Sequence, residues 1–374
     1  MTGLTFFILC LEGAILSFNV AATAALIPSI AKEFALSNFI MGQAVWLYMI
    51  PYGLAALIYG PLVRRFDAKK IELICMFFFS LANIMAGLAG VSTVFFLGRF
   101  LMGVFGASVI PLGLILIARS AALEKRGRLV GIFFSATFVA SLLGLFLSGL
   151  INWRLIYLLP GFAGLLTFLL MYFGLPSFKE ETGSFKVQYL SAFKSKRIIY
   201  IFTYIFFVSL FYHSVQQWLA VYFAERFNFT QFLVSMLITI TSLSGIFGEI
   251  IGGISCDKFG RLRTIKLGIA LMAFSVFLLL LESPFWIFAV LMLVWGLGWT
   301  MNHAGLSTML TDLPKQYLNE AASLNSGVRF ISGGLGMALG GLLLQRSFIL
   351  GFLVFGTCFL VLLFFSKSLA KSHI

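Results

Sequence analysis

The sequence is poor in charged residues and in the side chains that usually build catalytic or metal sites. Charged residues make up only 10% of its 374 positions, whereas 61% are apolar, and the mean hydropathy is +1.05. Soluble domains carry about 25% charged residues, so water is not the main solvent of this chain. The three histidines and four cysteines are widely separated. They form neither a zinc pattern nor a disulfide framework.

Two familiar catalytic motifs are also missing. No serine stands in a Gly-x-Ser-x-Gly elbow, and no glycine-rich loop ends in Lys-Ser or Lys-Thr. We therefore expect no enzyme, no ATP-driven pump, no cofactor and no metal. The sequence contains instead twelve apolar stretches of about 20 residues, the length that crosses a hydrocarbon core of about 30 Å.

The net charge of +13 reflects membrane topology. Twenty Lys and Arg residues lie in alternate loops and the C-terminal tail, and only four lie in the opposite loops. Such an excess marks cytoplasmic loops, so we expect a multi-pass protein of the plasma (inner) membrane with both termini in the cytoplasm. A nucleic-acid-binding protein would gather its basic residues on one folded face, and we expect no nucleic acid partner.

Two internal repeats indicate that the two halves of the chain arose by duplication of one unit. The basic hairpin at residues 60–70 (GPLVRRFDAKK) is a weak copy of the hairpin at residues 253–263 (GISCDKFGRLR). Small residues spaced by four recur in the fifth and eleventh apolar stretches, and Gly144 and Gly340 correspond at nearly the same offset. Small residues at this spacing let membrane helices touch. The sequence therefore predicts an all-α membrane protein with twelve transmembrane helices in two pseudo-symmetric six-helix halves.

The longest polar stretch divides these halves. It predicts an N-terminal six-helix bundle at residues 1–175, a cytoplasmic linker at 176–197 and a C-terminal six-helix bundle at 198–374.

The second hairpin carries a resemblance to the major facilitator superfamily. In that family the loop after the second and eighth helices reads Gly-x-x-x-Asp-Arg/Lys-x-Gly-Arg/Lys, and the second hairpin matches every fixed position. The resemblance extends over essentially the whole chain and is strongest to the drug:proton antiporter-like branch. It implies the major facilitator fold and assigns gating to the matching residues Gly253, Asp257, Lys258, Gly260 and Arg261.

The first hairpin departs from the family pattern. Arg64 stands where the family has Asp, and Asp67 stands where it has Gly. A gating contact at this hairpin would use different residues from those of the family pattern, and we assign it to Gly60, Arg65 and Asp67. Glu249 and Arg329, on the eighth and eleventh helices, are also expected to act in gating or structure, because those helices line the interface between halves in this fold.

Proton coupling is assigned to Glu12 and Arg99. Charges inside a membrane segment are costly, so they mark pairs, water-filled cavities or proton sites. Glu12 shares a helix face with Asn19 and Thr23. Arg99 begins an Arg-x-x-x-Gly element that the family links to proton coupling, and it is interpreted either as an anion anchor or as the partner of a carboxylate. The Gly-Pro element of antiporters is absent from the fifth helix.

Polar groups beside large aromatic side chains predict the solute site. Such groups hold an amphipathic organic molecule by hydrogen bonds and stacking. The residues assigned to substrate binding are Asn19, His213, Gln216, Gln217, Trp295, Trp299, Asn302 and His303.

These observations predict a monomeric secondary transporter that moves a small organic or amphipathic solute through the lipid bilayer by alternating access, coupled to protons. Drug or metabolite efflux is favoured narrowly over proton-coupled uptake. A carrier-like sensor or a lipid flippase is the alternative from another class.

Overall fold

The computed structural model describes residues 2–63, 65–121, 123–177, 196–311, 318–367 and 369. Most of the predicted linker, residues 178–195, lies outside them, as does Arg64. The described residues are helical and contain no strand. The chain separates into two compact units, unit 1 at Met1–Val187 and unit 2 at Gln188–Ile374.

Unit 1 is a bundle of helices, several of which begin at polar caps. Ser37, Asp67 and Asn152 each accept a backbone N–H bond in the first turn of the helix that follows, which satisfies donors that would otherwise be unpaired. The helices are α1 (Gly3–Ser17), α2 (Ala22–Ala25), α3 (Ile27–Glu33), α4 (Asn38–Leu62), α5 (Ala68–Gly87), α6 (Ser92–Gly106), α7 (Val109–Ser120), α8 (Leu123–Ser148) and α9 (Trp153–Gly174).

Unit 2 repeats this plan. Thr230 and Ser347 cap helices in the same way. The helices are α10 (Lys196–Gln216), α11 (Leu219–Phe227), α12 (Gln231–Phe259), α13 (Arg261–Leu278), α14 (Phe285–Thr311), α15 (Leu318–Leu344) and α16 (Phe348–Phe365).

Within the described residues, eleven helical segments are long and apolar enough to cross a membrane. The remaining predicted span is α13, an 18-residue helix that begins with Arg261, Arg263 and Lys266. Its basic first turns lower its hydropathy below that of the other spans. The arrangement is thus consistent with the twelve predicted helices.

Three of the predicted spans are each formed by two consecutive helices. The pairs are α1 with α2, α6 with α7, and α10 with α11. Between α10 and α11, the Trp218 N–H bonds to the carbonyl oxygen of Val215 at 3.0 Å, which closes a tight turn in the helical path. Apolar length alone does not reveal such interruptions, because the segments on both sides remain hydrophobic.

The small-residue stripes form close helix contacts in both units. A Cβ atom on Gly144 of α8 would lie 1.6 Å from the carbonyl oxygen of Phe18, and one on Gly340 of α15 would lie 2.2 Å from that of Ser214. Only glycine permits either approach. The same offset of 196 residues relates Gly144 to Gly340 and Phe18 to Ser214. The repeat read from the sequence is therefore a repeat of packing contacts as well.

Candidate functional site

A pair of buried carboxyl groups lies inside unit 1. Glu12 of α1 and Glu72 of α5 are both 0% exposed, and their carboxyl groups contact each other. Ser108, the residue before α7, donates its hydroxyl to Glu72 Oε2 at 3.3 Å. Both oxygens of Glu12 and Oε1 of Glu72 have no other hydrogen-bond donor within the described residues. Two carboxyl groups can hydrogen-bond each other only when one of them carries a proton.

Glu72 was not among the predicted site residues. It follows Lys69 and Lys70 closely, so the sequence places it with the charged hairpin and not with the apolar span. The signal that could have found it is its spacing: Glu72 shares the buried face of α5 with Cys75 and Phe79. An acidic residue on the apolar face of a membrane helix needs a partner or a proton.

Few titratable groups surround the carboxyl pair. Cys75, one turn beyond Glu72, donates its thiol to the Tyr59 hydroxyl at 3.3 Å. Tyr59 of α4 in turn donates to the carbonyl oxygen of Val104 at 3.0 Å. No basic side chain forms an ion pair with Glu12 or Glu72 in the part of the chain that the structure describes.

Arg99, the second predicted proton-coupling residue, is held away from the acids. Its guanidinium is 1% exposed, and Nε donates to the carbonyl oxygen of Ala44 at 3.0 Å. The charge lies 4.5 Å from the ring centre of Tyr48 and 5.9 Å from that of Tyr157. A cation above aromatic faces is stabilised by their quadrupoles. Among the described residues, Arg99 is therefore balanced by rings and a carbonyl, and no carboxylate pairs with it.

Asn19, predicted to bind solute, takes part in a hydrogen-bond chain inside unit 1. Its amide donates to Asn83 Oδ1 at 2.6 Å, and the amide of Asn83 donates to the carbonyl oxygen of Phe79 at 2.9 Å. One turn further, the hydroxyls of Thr23 and Tyr157 are 2.8 Å apart. Asn19 and Asn83 are both 0% exposed, so this chain links α5 to the connection between α1 and α2.

An aromatic stack lies at the centre of the predicted solute residues in unit 2. The Tyr212 ring of α10 is nearly parallel to two indoles of α14: its centre lies 5.0 Å from that of Trp295 and 3.9 Å from that of Trp299. Trp295 is fully buried and donates its indole N–H to Gln216 Oε1 at 2.6 Å. Trp299 is only partly buried, so it is the accessible end of the stack.

Polar side chains gather around Trp299. His213 is edge-on to its indole, with ring centres 5.7 Å apart, and His213 Nδ1 lies 3.0 Å from the side-chain amide nitrogen of Gln217. On the next turn of α14, the ring of His303 lies 6.3 Å from that of Trp299. The structure thus brings the predicted residues His213, Gln216, Gln217, Trp295, Trp299 and His303 together within unit 2.

Glu249 and Arg329, predicted as gating or structural residues, lie beside this aromatic stack. Glu249 Oε1 is 2.7 Å from His303 Nδ1, although the geometry of this contact is not that of a hydrogen bond. The Arg329 guanidinium lies 5.7 Å from the centre of the Trp299 ring. The solute residues and two of the supposed gating residues therefore form one group of side chains from α10, α12, α14 and α15.

Asn302 is the one predicted solute residue of unit 2 that lies apart from this group. It is 0% exposed, and its amide donates to the carbonyl oxygen of Ile265 on α13 at 3.3 Å. A Cβ on Gly268 would approach Asn302 to within 2.7 Å. Asn302 thus belongs to the close contact between α13 and α14.

The predicted gating residues lie at two helix junctions. Gly60 is near the end of α4, and Asp67 caps α5 by accepting from the N–H of Lys69 at 2.8 Å and also from the hydroxyl of Ser177. In unit 2, Gly260 joins α12 to α13 with a φ of 88°, a conformation that side chains rarely adopt. Arg65 lies between α4 and α5. At the second junction, the predicted residues near the end of α12 are Gly253, Asp257 and Lys258, and Arg261 begins α13.

One charged network at the start of α9 was not predicted. Arg154 pairs with Glu33 at 2.6 Å and donates to the carbonyl oxygens of Gly87 and Ala89 at 3.0 and 2.9 Å. The indole of Trp153 also donates to Glu33. Burial of the Glu33 carboxyl raises its pKa, but the hydrogen bonds from Trp153 and Arg154 outweigh burial and hold the pKa of Glu33 below its ordinary value. This network joins three helix ends and is structural.

Comparisons with known proteins agree with this architecture. The family model of the Major Facilitator Superfamily matches residues 9–341, and a second match covers residues 256–373. Multidrug resistance protein 2 of Bacillus subtilis is 24% identical over 375 residues, which cover 96% of this chain and 93% of the relative. The purine ribonucleoside efflux pump NepI of Salmonella enteritidis is 23% identical, over 90% of this chain and 86% of the relative.

Solved structures share the fold. A D-xylose-proton symporter superposes with a TM-score of 0.77 at 16% identity and covers 96% of both chains. The nucleoside transporter NupG superposes with a TM-score of 0.76 at 14% identity, over 98% of this chain and 100% of that chain.

Proposed function

Because the chain belongs to the major facilitator superfamily, whose family model matches it across residues 9–341, we propose that it is a secondary transporter that exports a small organic solute in exchange for protons. Twelve predicted spans support a multi-pass membrane transporter, as do relatives named as a multidrug resistance protein and a purine ribonucleoside efflux pump. The proposal takes the protein to be a monomer of the inner membrane, and the basic loops favour both termini in the cytoplasm.

The observation that carries proton coupling is the contact between Glu12 and Glu72. Two ionised carboxylates about 4 Å apart repel by about 4 kcal/mol at an effective dielectric constant of 20. The Ser108 hydroxyl is the one donor to the pair among the described residues, and the pair has no neighbouring cation. The pair therefore holds a proton when it is sealed from water, and it can release that proton when water reaches it. A proton-driven carrier requires a group that binds a proton in one conformation and releases it in another.

The solute site is proposed at the aromatic stack of unit 2. Tyr212, Trp295 and Trp299 offer a rigid aromatic surface, and His213, Gln217 and His303 supply hydrogen-bonding groups at its accessible end. An amphipathic organic molecule is held by both features together. Asn19 and Asn302, which are hydrogen-bonded to neighbouring helices, are proposed to support the helices and not to touch the solute.

Export is favoured by the relative NepI, which is named as an efflux pump. Uptake by proton symport is the second candidate, and a specific observation favours it. The fifth predicted span has Ala140 and Ser141 where the antiporter element requires Gly-Pro. The likeness to a proton symporter does not decide between them, because at 16% identity it concerns the fold alone.

The direction of coupling can be tested with purified protein in liposomes that contain the pH dye pyranine. Solutes of different chemistry are added outside: ethidium, inosine, xylose and 1-naphthoate. Antiport exports protons from the lumen as solute enters, so the lumen becomes alkaline, whereas symport acidifies it. Neither response depends on the orientation of the protein. Net uptake of a labelled solute down its own gradient without any proton movement would refute proton coupling.

A further inference from the structure

Arg329 has an unused hydrogen-bonding edge. The residue is 8% exposed, and its Nε donates to Asn325 Oδ1 at 2.9 Å, one turn away on α15. The outer nitrogens, Nη1 and Nη2, have no hydrogen-bond partner within the described residues. A buried guanidinium that leaves its donors unpaired is costly. The Asn325 bond also fixes the plane of the group, because it holds one corner of the planar fork.

The acid nearest to this edge is engaged elsewhere. Glu249 interacts electrostatically with Arg329, but its Oε1 is in contact with His303 Nδ1 at 2.7 Å, and no Arg329–Glu249 ion pair forms. Among the described side chains, His213 on α10 is the other titratable group that interacts with Arg329. Within the described part of the chain, the outer edge of the guanidinium thus has no carboxylate partner, and the guanidinium lies 5.7 Å from the ring centre of the partly exposed Trp299.

The two features together define a ligand. An end-on guanidinium edge with two parallel N–H donors matches the two oxygens of a carboxylate. The partly exposed indole of Trp299 offers apolar surface to a flat ring. The Arg329 guanidinium lies over this indole, 5.7 Å from its ring centre, so a carboxylate attached directly to the ring or one carbon away can reach it. A cationic solute would instead be repelled by the guanidinium of Arg329.

We propose that the transported solute is a planar aromatic carboxylate, held by Nη1 and Nη2 of Arg329 while its ring lies against Trp299. This inference rests on the proposed function only in taking the unit 2 cluster as the solute site. The contact with His303 then keeps the Glu249 carboxylate away from the outer edge of the guanidinium.

Binding to the purified full-length protein in detergent tests the proposal without any transport step. Benzoate, 1-naphthoate and indole-3-carboxylate are each titrated against their own carboxamides, which have the same ring and no charge, by thermal unfolding and by isothermal calorimetry. We expect the carboxylates to bind at least about tenfold more tightly than the amides, because hydrogen bonds to charged groups contribute more than neutral ones.

Substitutions at Arg329 test whether this residue is the one that binds the carboxylate. R329Q should weaken carboxylate binding by about 10- to 150-fold and leave amide binding unchanged. R329K, which keeps the charge but loses the fork, should fall between R329Q and the wild type. R263Q, at an exposed arginine of α13, is the matched control and should bind like the wild type. Unfolding without ligand shows whether each variant is folded.

A competing role for Arg329 is that it merely balances Glu249. If that were so, the E249Q/R329Q double variant would recover carboxylate binding, and this recovery would overturn the proposal. Equal binding of carboxylates and amides to the wild type would overturn it too. Failure of proton-coupled transport, in contrast, would leave these binding results unaffected and would refute only the proton-exchange mechanism.

Discussion

Replacing Glu72 by glutamine removes one of the two acids that contact each other in unit 1 and tests whether the pair is the proton site. The change keeps the size of the side chain and leaves an amide that can donate to Glu12 without releasing a proton. Ionising both acids of the native pair costs about 4 kcal/mol of repulsion at an effective dielectric constant of 20, a factor of about a thousand against the doubly ionised state. In E72Q this repulsion is gone, so proton binding by Glu12 no longer depends on a second acid.

The size of the transport effect follows from the driving force. One pH unit across a membrane stores about 1.4 kcal/mol per proton, which supports a solute ratio of about tenfold at one-for-one coupling. Proteoliposomes are loaded with the panel solute that moves protons, and the membrane potential is clamped at zero. We expect the wild type to approach the tenfold ratio, whereas E72Q and E12Q reach a ratio near one and retain counterflow exchange.

The control for these variants is E282Q. Glu282 is an exposed carboxylate, paired with Arg226 at the surface of unit 2, and the same acid-to-amide change there should leave accumulation at the wild-type level. If E72Q accumulated solute as well as E282Q under the same pH gradient, the acid pair would not be the coupling site. A variant that lost both accumulation and counterflow would have to be checked for folding before it counted.

Three further predictions follow from particular contacts. G144A should destabilise the protein by about 1–3 kcal/mol or prevent its folding, because its Cβ would meet the Phe18 carbonyl oxygen at 1.6 Å, whereas G131A on the same helix meets nothing within 4 Å and should be neutral or mildly stabilising in thermal unfolding. R154Q should lower the free energy of unfolding at pH 7 by about 1–3 kcal/mol, because Arg154 pairs with Glu33. The pKa of Glu33 is lowered in the folded protein, so the stability that its carboxylate contributes is present above about pH 4.3 and is lost below it. The deficit of R154Q should therefore shrink in unfolding scans under acid, and a pH-independent deficit would contradict this. If the solute is a monovalent anion exchanged for one proton, each cycle moves two charges, so a potential set by valinomycin and potassium should change the accumulation ratio steeply, at about 2.3 kcal/mol per charge for each 100 mV, while an insensitive ratio would exclude this exchange.

Much of the fold could be predicted because lipid imposes strong rules on a sequence. Apolar length, basic loops and small residues spaced by four predicted the spans and their duplication, and the contacts of Gly144 and Gly340 repeat at the same offset. The interruptions at α1–α2, α6–α7 and α10–α11 could not be predicted, because hydrophobicity continues through each of them.

The solute group was predictable only in part. His213, Trp295 and Trp299 were selected by helical spacing, and they do lie together. Tyr212 was overlooked because a tyrosine among apolar residues is usually part of the core. Asn302 lies on the correct helix but bonds to α13. Spacing identifies which residues share a face, but it does not say which neighbouring helix that face meets.

Buried groups without fixed partners are the most informative feature of the two units, because stability does not explain them. A buried charge or carboxyl that lacks partners costs several kcal/mol, and well-packed apolar residues of the same volume would often be more stable. Among the residues that the structure describes, the oxygens of Glu12 in unit 1 have no donor beyond the neighbouring carboxyl group, and the outer nitrogens of Arg329 in unit 2 have no acceptor. A proton satisfies the first and a carboxylate satisfies the second. The proton and the carboxylate of the proposed exchange therefore each supply the partner that a buried side chain lacks. This is the reason for an exchanger to retain both Glu12 and Arg329.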